Sequence, residues 1–85
     1  MAYEIIPLAL KKITQRRIPM KWIEETLDSP DQIVEGYEGR QVAQKIYYEG
    51  DKRMLLRIIF ESEGDKRVVV TAYITSQIDK YWRQE

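Results

Sequence analysis

Apolar residues are concentrated in three runs in the second half of the chain: VAQKIYY, MLLRIIF and RVVVTAYIT. These runs are rich in β-branched and aromatic residues, which favour strands. The pentapeptide EGDKR separates them twice, at residues 49–53 and 63–67. Its glycine accepts a positive φ without steric cost and its aspartate bonds its own backbone, so each copy is typical of a hairpin turn. We therefore expect antiparallel strands at residues 40–48, 53–61 and 66–75.

The first third of the chain shows helical spacing instead. Proline fits the first turn of a helix, where its missing N–H costs nothing, so Pro7 predicts a helix over residues 7–17. Pro19 interrupts this helix and can begin a second one, which ends in the turn residues 28–31. Apolar residues recur every three or four positions in both helices: Ile6, Ala9, Leu10 and Ile13 in the first, and Met20, Ile23 and Leu27 in the second.

Two shorter segments complete the pattern. Residues 32–37 are a candidate strand, and the segment after residue 76 predicts a short helix with Ile78, Tyr81 and Trp82 on one side. No linker or low-complexity run interrupts the chain, so we predict a single domain over residues 1–85. The predicted fold class is α+β: two N-terminal helices packed on one face of a four-stranded antiparallel sheet, with a short C-terminal helix.

The register of the first hairpin decides which face of the sheet is buried. A two-residue turn at Gly50 and Asp51 would pair Gln44 with Arg57. In that register Arg57 shares a face with Val42, Ile46 and Ile59. A slip of one residue turns every side chain to the other face and gathers the apolar side chains there. The residues gathered are Val42, Ile46, Leu56, Ile58, Phe60, Val68, Val70, Ala72 and Ile74.

The position of Arg57 favours the slipped register. An arginine left unpaired in a core costs several kcal/mol, which is more than a less favoured turn costs. We therefore predict that Arg57 points away from the helices. The slipped register groups it with Lys45, Tyr47, Leu55, Ile59, Val69, Thr71 and Tyr73.

The chain contains neither cysteine nor histidine. Disulfides, a thiolate nucleophile, a Cys/His zinc site and a serine–histidine triad are therefore excluded. A metal would need oxygen ligands alone, and Glu24 and Asp28 form an i, i+4 pair of that kind. A solvated helix edge explains this pair more simply, so we predict neither a metal nor a cofactor.

Fourteen basic and fourteen acidic residues give a formal net charge of zero. Since neutralising phosphates drives non-specific affinity for nucleic acid, this balance counts against RNA binding without excluding it. Lys11, Lys12, Arg16 and Arg17 cluster toward the end of the first helix. They interact favourably with the helix dipole there, and the alternative is a phosphate-binding patch. No apolar run approaches the roughly 20 residues that cross a bilayer, and the N-terminus lacks the pattern of a secretory signal. We therefore expect a cytoplasmic protein that does not bind a membrane.

Two stretches resemble a known family. LALKKITQRRIPMKWIEETLDSPDQIV is similar to the opening of the family labelled domain of unknown function 4258, which typically has a helix ending in Arg-Gly-Ile, a second helix and a Pro-Asp turn. RVVVTAYITS is similar to a strand near the end of that family. The chain departs from the pattern at Leu8, where many relatives have histidine, and at Arg17, which replaces the usual glycine.

The resemblance extends in layout to the BrnT toxins and, more distantly, to the RelE/ParE superfamily. It implies helices packed on one face of an antiparallel sheet, with basic and aromatic side chains that act on RNA on the other face. A metal-independent endoribonuclease of a toxin–antitoxin system would need a proton acceptor, a proton donor and a cation. The predicted catalytic residues are Arg57, Lys45, Tyr73 and Arg83, and the predicted binding residues are Tyr47, Arg16 and Arg17.

Each of these residues also has a purely structural explanation. Arg57 could pair with Glu61 or Glu35, and the tyrosines could be cross-strand packing residues. A non-catalytic interaction module is the main alternative, because a homodimer, an antitoxin-like partner or the terminal helix could cover Leu55, Ile59 and Val69. The strand at 32–37 could also accept a partner strand. An inactive toxin-like remnant is the third possibility.

Overall fold

A computed structural model describes residues 2–84 of the chain. Its strands are β1 (Ala2–Ile5), β2 (Gln32–Glu35), β3 (Gln41–Glu49), β4 (Lys52–Glu63) and β5 (Lys66–Thr75). Its helices are α1 (Pro7–Gln15), α2 (Met20–Asp28) and α3 (Ile78–Tyr81). The α+β class is confirmed. The helices α1 and α2, at nine residues each, and the four-residue α3 are too short to cross a membrane.

The sheet is five-stranded and mixed, in the order β1-β5-β4-β3-β2. The prediction of four antiparallel strands was therefore wrong in one element. β1 pairs in parallel with β5, with Ala2 opposite Lys66 and Ile5 opposite Val69. This strand has only four residues before Pro7 begins α1, too few for its alternation to predict a strand from sequence.

Both EGDKR segments form the hairpin turns that were predicted. Gly50 and Gly64 have φ angles of 63° and 60°, in the left-handed region that glycine adopts at least cost. The turn at Gly50 has two residues, since Glu49 pairs with Lys52, and it sets Gln44 opposite Arg57. The slipped register is therefore wrong, and the turn chemistry decides the pairing.

The prediction that Arg57 points away from the helices is nevertheless confirmed, because α1 and α2 cover the face of Leu56, Ile58 and Phe60 and Arg57 lies on the other face. The main core contains Ile13, Ile23 and Leu27 from the helical segment, packed against alternate residues of the sheet. The buried sheet residues of this core are Ala43, Leu56, Ile58, Phe60, Val69 and Ala72. Val42 and Gln44, by alternation, share the other face with Arg57.

A β-bulge in β5 changes which valine enters the core. Ile59 pairs with Thr71 but Phe60 pairs with Val69, so Val70 is the extra residue. The bulge reverses the alternation along β5 and turns Val69 toward the helices, with no exposed surface. Predicting Val68 and Val70 in that core, and Val69 on the face of Arg57, was wrong for this reason.

Helix α1 ends two residues earlier than predicted, in a Schellman motif. The N–H of Ile18 donates to the carbonyl of Ile13 at 3.1 Å, and the N–H of Arg17 donates to that of Thr14 at 3.1 Å. Arg17 takes a φ of 56°, the left-handed conformation that this motif needs. Glycine adopts it without the cost that a side chain adds, which explains the glycine expected here from the resemblance.

We predict that Arg17→Gly stabilises the protein by about 0.5–1 kcal/mol, because it relieves the left-handed strain at a modest cost in chain entropy. Urea denaturation measures this change in the free energy of unfolding. Gln15→Gly is the control and should destabilise, since Gln15 is an exposed residue with helical backbone at the end of α1. A less stable Arg17→Gly variant would show that the Arg17 side chain contributes more than the strain costs.

Candidate functional site

A cleft of about 700 Å³ lies on the sheet face opposite α1 and α2. Val42, Arg57 and Ile59 line it from the sheet. The loop between β2 and β3 and the segment after β5 also contribute to its lining. We name residues 76–84, which include α3, the C-terminal strap.

Arg57 is held in this cleft by neutral groups. Its Nε donates to Oε1 of Gln44 at 2.7 Å, and its Nη1 donates to the hydroxyl of Tyr73. Its guanidinium carbon lies 4.1 Å from the ring centroid of Tyr81 and 5.6 Å from that of Tyr73. Both rings therefore interact with the cation through their π faces.

No carboxylate forms an ion pair with Arg57 within residues 2–84. Of the two partners considered from sequence, Glu61 instead pairs with Arg40, whose Nε lies 2.9 Å from Oε1. Arg40 and Lys80 are the other cations of the lining, and Glu35 adds a carboxylate. The cleft thus has a local positive excess in a chain of zero net charge.

Gln44 connects Arg57 to the C-terminal strap. Its side chain has no exposed surface, and its Nε2 donates to the backbone carbonyl of Tyr81 at 3.3 Å and to Oε1 of Gln32 at 3.2 Å. Gln32 in turn exchanges two bonds with the backbone of Arg83: Nε2 to the carbonyl at 2.6 Å, and N–H to Oε1 at 3.0 Å. Two carboxamides therefore hold the strap against the sheet as a neighbouring strand would.

Tyr81 is the one tyrosine whose pKa is lowered among those with a resolved shift. The nearby hydroxyl of Tyr73 has the largest effect, and the positive charges of Lys80 and Arg57 also favour the phenolate. Burial opposes these effects. The lowered pKa means that the phenolate of Tyr81 forms more readily than that of a free tyrosine.

The structure brings together two of the four predicted catalytic residues, Arg57 and Tyr73. Arg83 lies on the strap with its backbone bonded to Gln32 and does not line the cleft. Lys45 lies on the opposite face, where its Nζ donates to the carbonyl of Ser29 at 2.8 Å. Grouping Lys45 with Arg57 was therefore wrong, because it followed from the slipped register.

Tyr47 was misplaced for the same reason. Its ring stacks on Trp22 of α2, with centroids 4.2 Å apart, and its hydroxyl donates to Glu25 at 3.0 Å. Burial is the main cause of its raised pKa. Tyr47 therefore joins α2 to the sheet and cannot stack on a base in the cleft.

Arg16 and Arg17 have local structural contacts. Nη1 of Arg16 donates to the backbone carbonyl of Ala72 at 2.7 Å. Because β1 ends opposite Val69, this carbonyl lies on an edge of β5 that β1 does not cover, and Arg16 satisfies it. Arg17 closes the Schellman motif. Their role in phosphate binding stays a prediction.

Sequence reasoning missed Gln44, Tyr37, Lys80 and Tyr81 as site residues. Gln44 interrupts the apolar series Val42, Gln44, Ile46 on one face of β3, a signal that a buried polar contact was needed. For Lys80 and Tyr81 no signal existed, since the docking of the strap depends on tertiary contacts.

The acidic residues of α2 form no group of three that could hold a metal within residues 2–84.

The fold and the cleft together define an α+β protein with a cationic, aromatic site on the sheet face opposite its helices. A family model described as a domain of unknown function (DUF4258) matches residues 9–74, from α1 into β5. The chain therefore belongs to this family, as the resemblance predicted. The comparisons with curated proteins and with solved structures found no match. The wider similarity to BrnT and RelE/ParE toxins is not confirmed and stays a prediction.

We predict that Gln44→Ala destabilises the protein by about 1–3 kcal/mol, because buried donors and acceptors lose their partner. The backbone N–H of Arg83 should also exchange faster with solvent, since the strap loses an anchor. Hydrogen exchange and urea denaturation measure the two effects. Gln41→Ala, an exposed glutamine on the same strand, is the control and should change stability by less than about 0.5 kcal/mol. Unchanged exchange at Arg83 in Gln44→Ala would contradict the anchoring role.

Tyrosine absorbance should show Tyr81 ionising at lower pH than Tyr3 and Tyr47, whose pKa values are raised mainly by burial. A lowered pKa in the folded state means that ionised Tyr81 stabilises the fold above the unfolded pKa, and this contribution is lost as the pH falls through the folded pKa. Tyr81→Phe should remove an early step of the titration, at lower pH than the steps of Tyr3 and Tyr47, and Tyr47→Phe should remove a later one. An unchanged early step in Tyr81→Phe would assign it to another residue.

Proposed function

We propose that the chain binds single-stranded RNA in the cleft and cleaves it without a metal, as a toxin-like endoribonuclease with a layout similar to BrnT and RelE. The observation that carries this proposal is Arg57, a cation held by Gln44 and Tyr73 and stacked on Tyr81 without a carboxylate. Such a guanidinium retains its charge for an anionic ligand, and arginine is suited to phosphate because its donors match the phosphate oxygens.

The neutral net charge is compatible with this function if few phosphates are bound. The logarithm of the affinity for single strands falls with the logarithm of salt concentration by about 0.7 for each phosphate neutralised. Arg57 and Lys80 would neutralise one or two phosphates. We therefore expect a slope near −1, which is much shallower than that of strongly basic nucleic-acid binders.

The proposed cleavage is an in-line attack by the RNA 2′-oxygen. The 2′-hydroxyl gives its proton to the Tyr81 phenolate as the 2′-oxygen–phosphorus bond forms. Arg57 stabilises the negative charge that develops on the phosphorane. Lys80 gives a proton to the 5′-oxygen as its bond to phosphorus breaks, which leaves a 2′,3′-cyclic phosphate and a 5′-hydroxyl. Lys45 has no part in this scheme, because it lies on the face that α1 and α2 cover.

The structure weakens the main argument for a non-catalytic interaction module. Leu55 and Val69, two of the three apolar residues that favoured it, are fully buried within the chain. Ile59 is the third and lines the cleft beside Arg57. Of these three residues only Ile59 is left for a partner to cover, whereas the cation Arg57, which has no ion-pair partner among residues 2–84, suits an anionic ligand.

We predict that Arg57→Ala loses most of the affinity for a fluorescently labelled single-stranded oligoribonucleotide, measured by anisotropy at several salt concentrations. Arg53→Ala is the matched control, because Arg53 is exposed on the same strand outside the cleft. Lys80→Ala should weaken binding and flatten the salt slope, and this exposed residue can be removed without disturbing the buried network. Equal affinities in all four proteins would contradict binding in the cleft.

Cleavage is tested separately from binding. The wild type should arrest growth on expression and yield fragments ending in a 2′,3′-cyclic phosphate in the presence of a chelator, and Tyr81→Phe should lose both effects. Binding without fragments would leave an RNA-binding module or an inactive remnant and would overturn the catalytic part of the proposal.

A further inference from the structure

The loop between β2 and β3 has a conformation held at an energetic cost. Its ends are joined by two backbone bonds, from Gly36 N–H to the Arg40 carbonyl at 2.8 Å and from Arg40 N–H to the Tyr37 carbonyl at 3.1 Å. Glu38 and Gly39 have φ angles of 57° and 77°. The left-handed conformation is disfavoured for a glutamate, and such strain often occurs at binding sites.

This loop presents Tyr37 almost wholly to solvent at the cleft. Tyr37 is 91% exposed and lines the cleft, and its side chain makes no hydrogen bond or ring contact among residues 2–84. The fold therefore buries almost none of this residue. Tyr48 is also exposed, at 68%, but lies outside the cleft. The two tyrosines differ in position rather than in chemistry.

The cleft also has apolar lining residues, the buried Val42 and the half-buried Ile59. Val42 and Ile59 are paired neighbours in the sheet and both line the cleft. Arg57 lies two residues along the same strand from Ile59, which is about 7 Å. The cleft thus combines an arginine that has no carboxylate partner among the described residues, a half-buried isoleucine and an exposed aromatic ring. Proteins that bind single-stranded nucleic acid use the same combination, with bases stacked on aromatic rings beside a positively charged groove.

We infer that Tyr37 is a base-stacking residue, so that the cleft takes a nucleotide unit of single-stranded RNA, with a phosphate at Arg57 and the adjoining base against Tyr37. This inference rests on the proposed function and deepens it, since it makes the base as well as the phosphate part of recognition. Stacking accepts any base, so the site discriminates single strands from isolated anions and from paired strands rather than one base from another.

The test compares a labelled single-stranded oligoribonucleotide with an abasic oligoribonucleotide of the same length, both measured by anisotropy. Tyr37→Ala should lower the affinity for the base-containing strand roughly 5- to 100-fold and leave the affinity for the abasic strand unchanged. Tyr37→Trp should retain the affinity, because the indole ring also stacks. Tyr48→Ala is the matched control and should alter neither affinity.

An unchanged affinity for the base-containing strand in Tyr37→Ala would overturn the inference and leave RNA binding at Arg57 intact. An equal loss for both strands would also overturn it, because it would assign Tyr37 to the phosphate. If the wild type binds neither strand, the proposed function fails as well. Backbone amide spectra of residues 36–40 verify that the loop is retained in the variant.

Discussion

The bond between Gln44 and Arg57 is the contact on which both the cleft and the C-terminal strap depend. A guanidinium beside a buried strand residue needs hydrogen-bond partners, and a carboxylate there would neutralise it. Gln44 satisfies the Nε without cancelling the charge, and its other end holds the backbone of Tyr81. One buried carboxamide therefore positions the cation and brings to it the ring whose ionisation the cation favours.

Much of the fold could be predicted from local patterns, because those patterns have local causes. Pro7 and Pro19 fix the helix starts, and the two EGDKR turns fix three strands. The errors arose where a tertiary constraint decided between local alternatives. Segregation of polar from apolar residues suggested the slipped register, yet both faces of this sheet bury apolar side chains, so segregation could not identify the helix-covered face. The bulge at Val70 then reversed the alternation along β5.

The candidate site was predicted only in part for a related reason. Arg57 and Tyr73 lie opposite each other on the adjacent strands β4 and β5, so their side chains lie on the same face of the sheet. Assigning both to that face was enough to group them. Lys45 and Tyr47 were assigned through the wrong register and moved to the helix side with it. Tyr81 and Lys80 reach the cleft on a strap whose docking depends on two distant carboxamides. Tyr37 lies in the loop between β2 and β3, where the left-handed backbone of Glu38 could not be predicted from the local sequence.

The most direct test of the account is the side-chain Nε–H signal of Arg57 in nuclear magnetic resonance, followed during titration with a single-stranded oligoribonucleotide. The account predicts that this proton exchanges slowly with water in the free protein, because Gln44 accepts it, and that its resonance shifts as RNA binds. The exposed Arg53 serves as the internal reference. An Arg57 signal that exchanges as fast as that of Arg53 and does not respond to RNA would contradict the account.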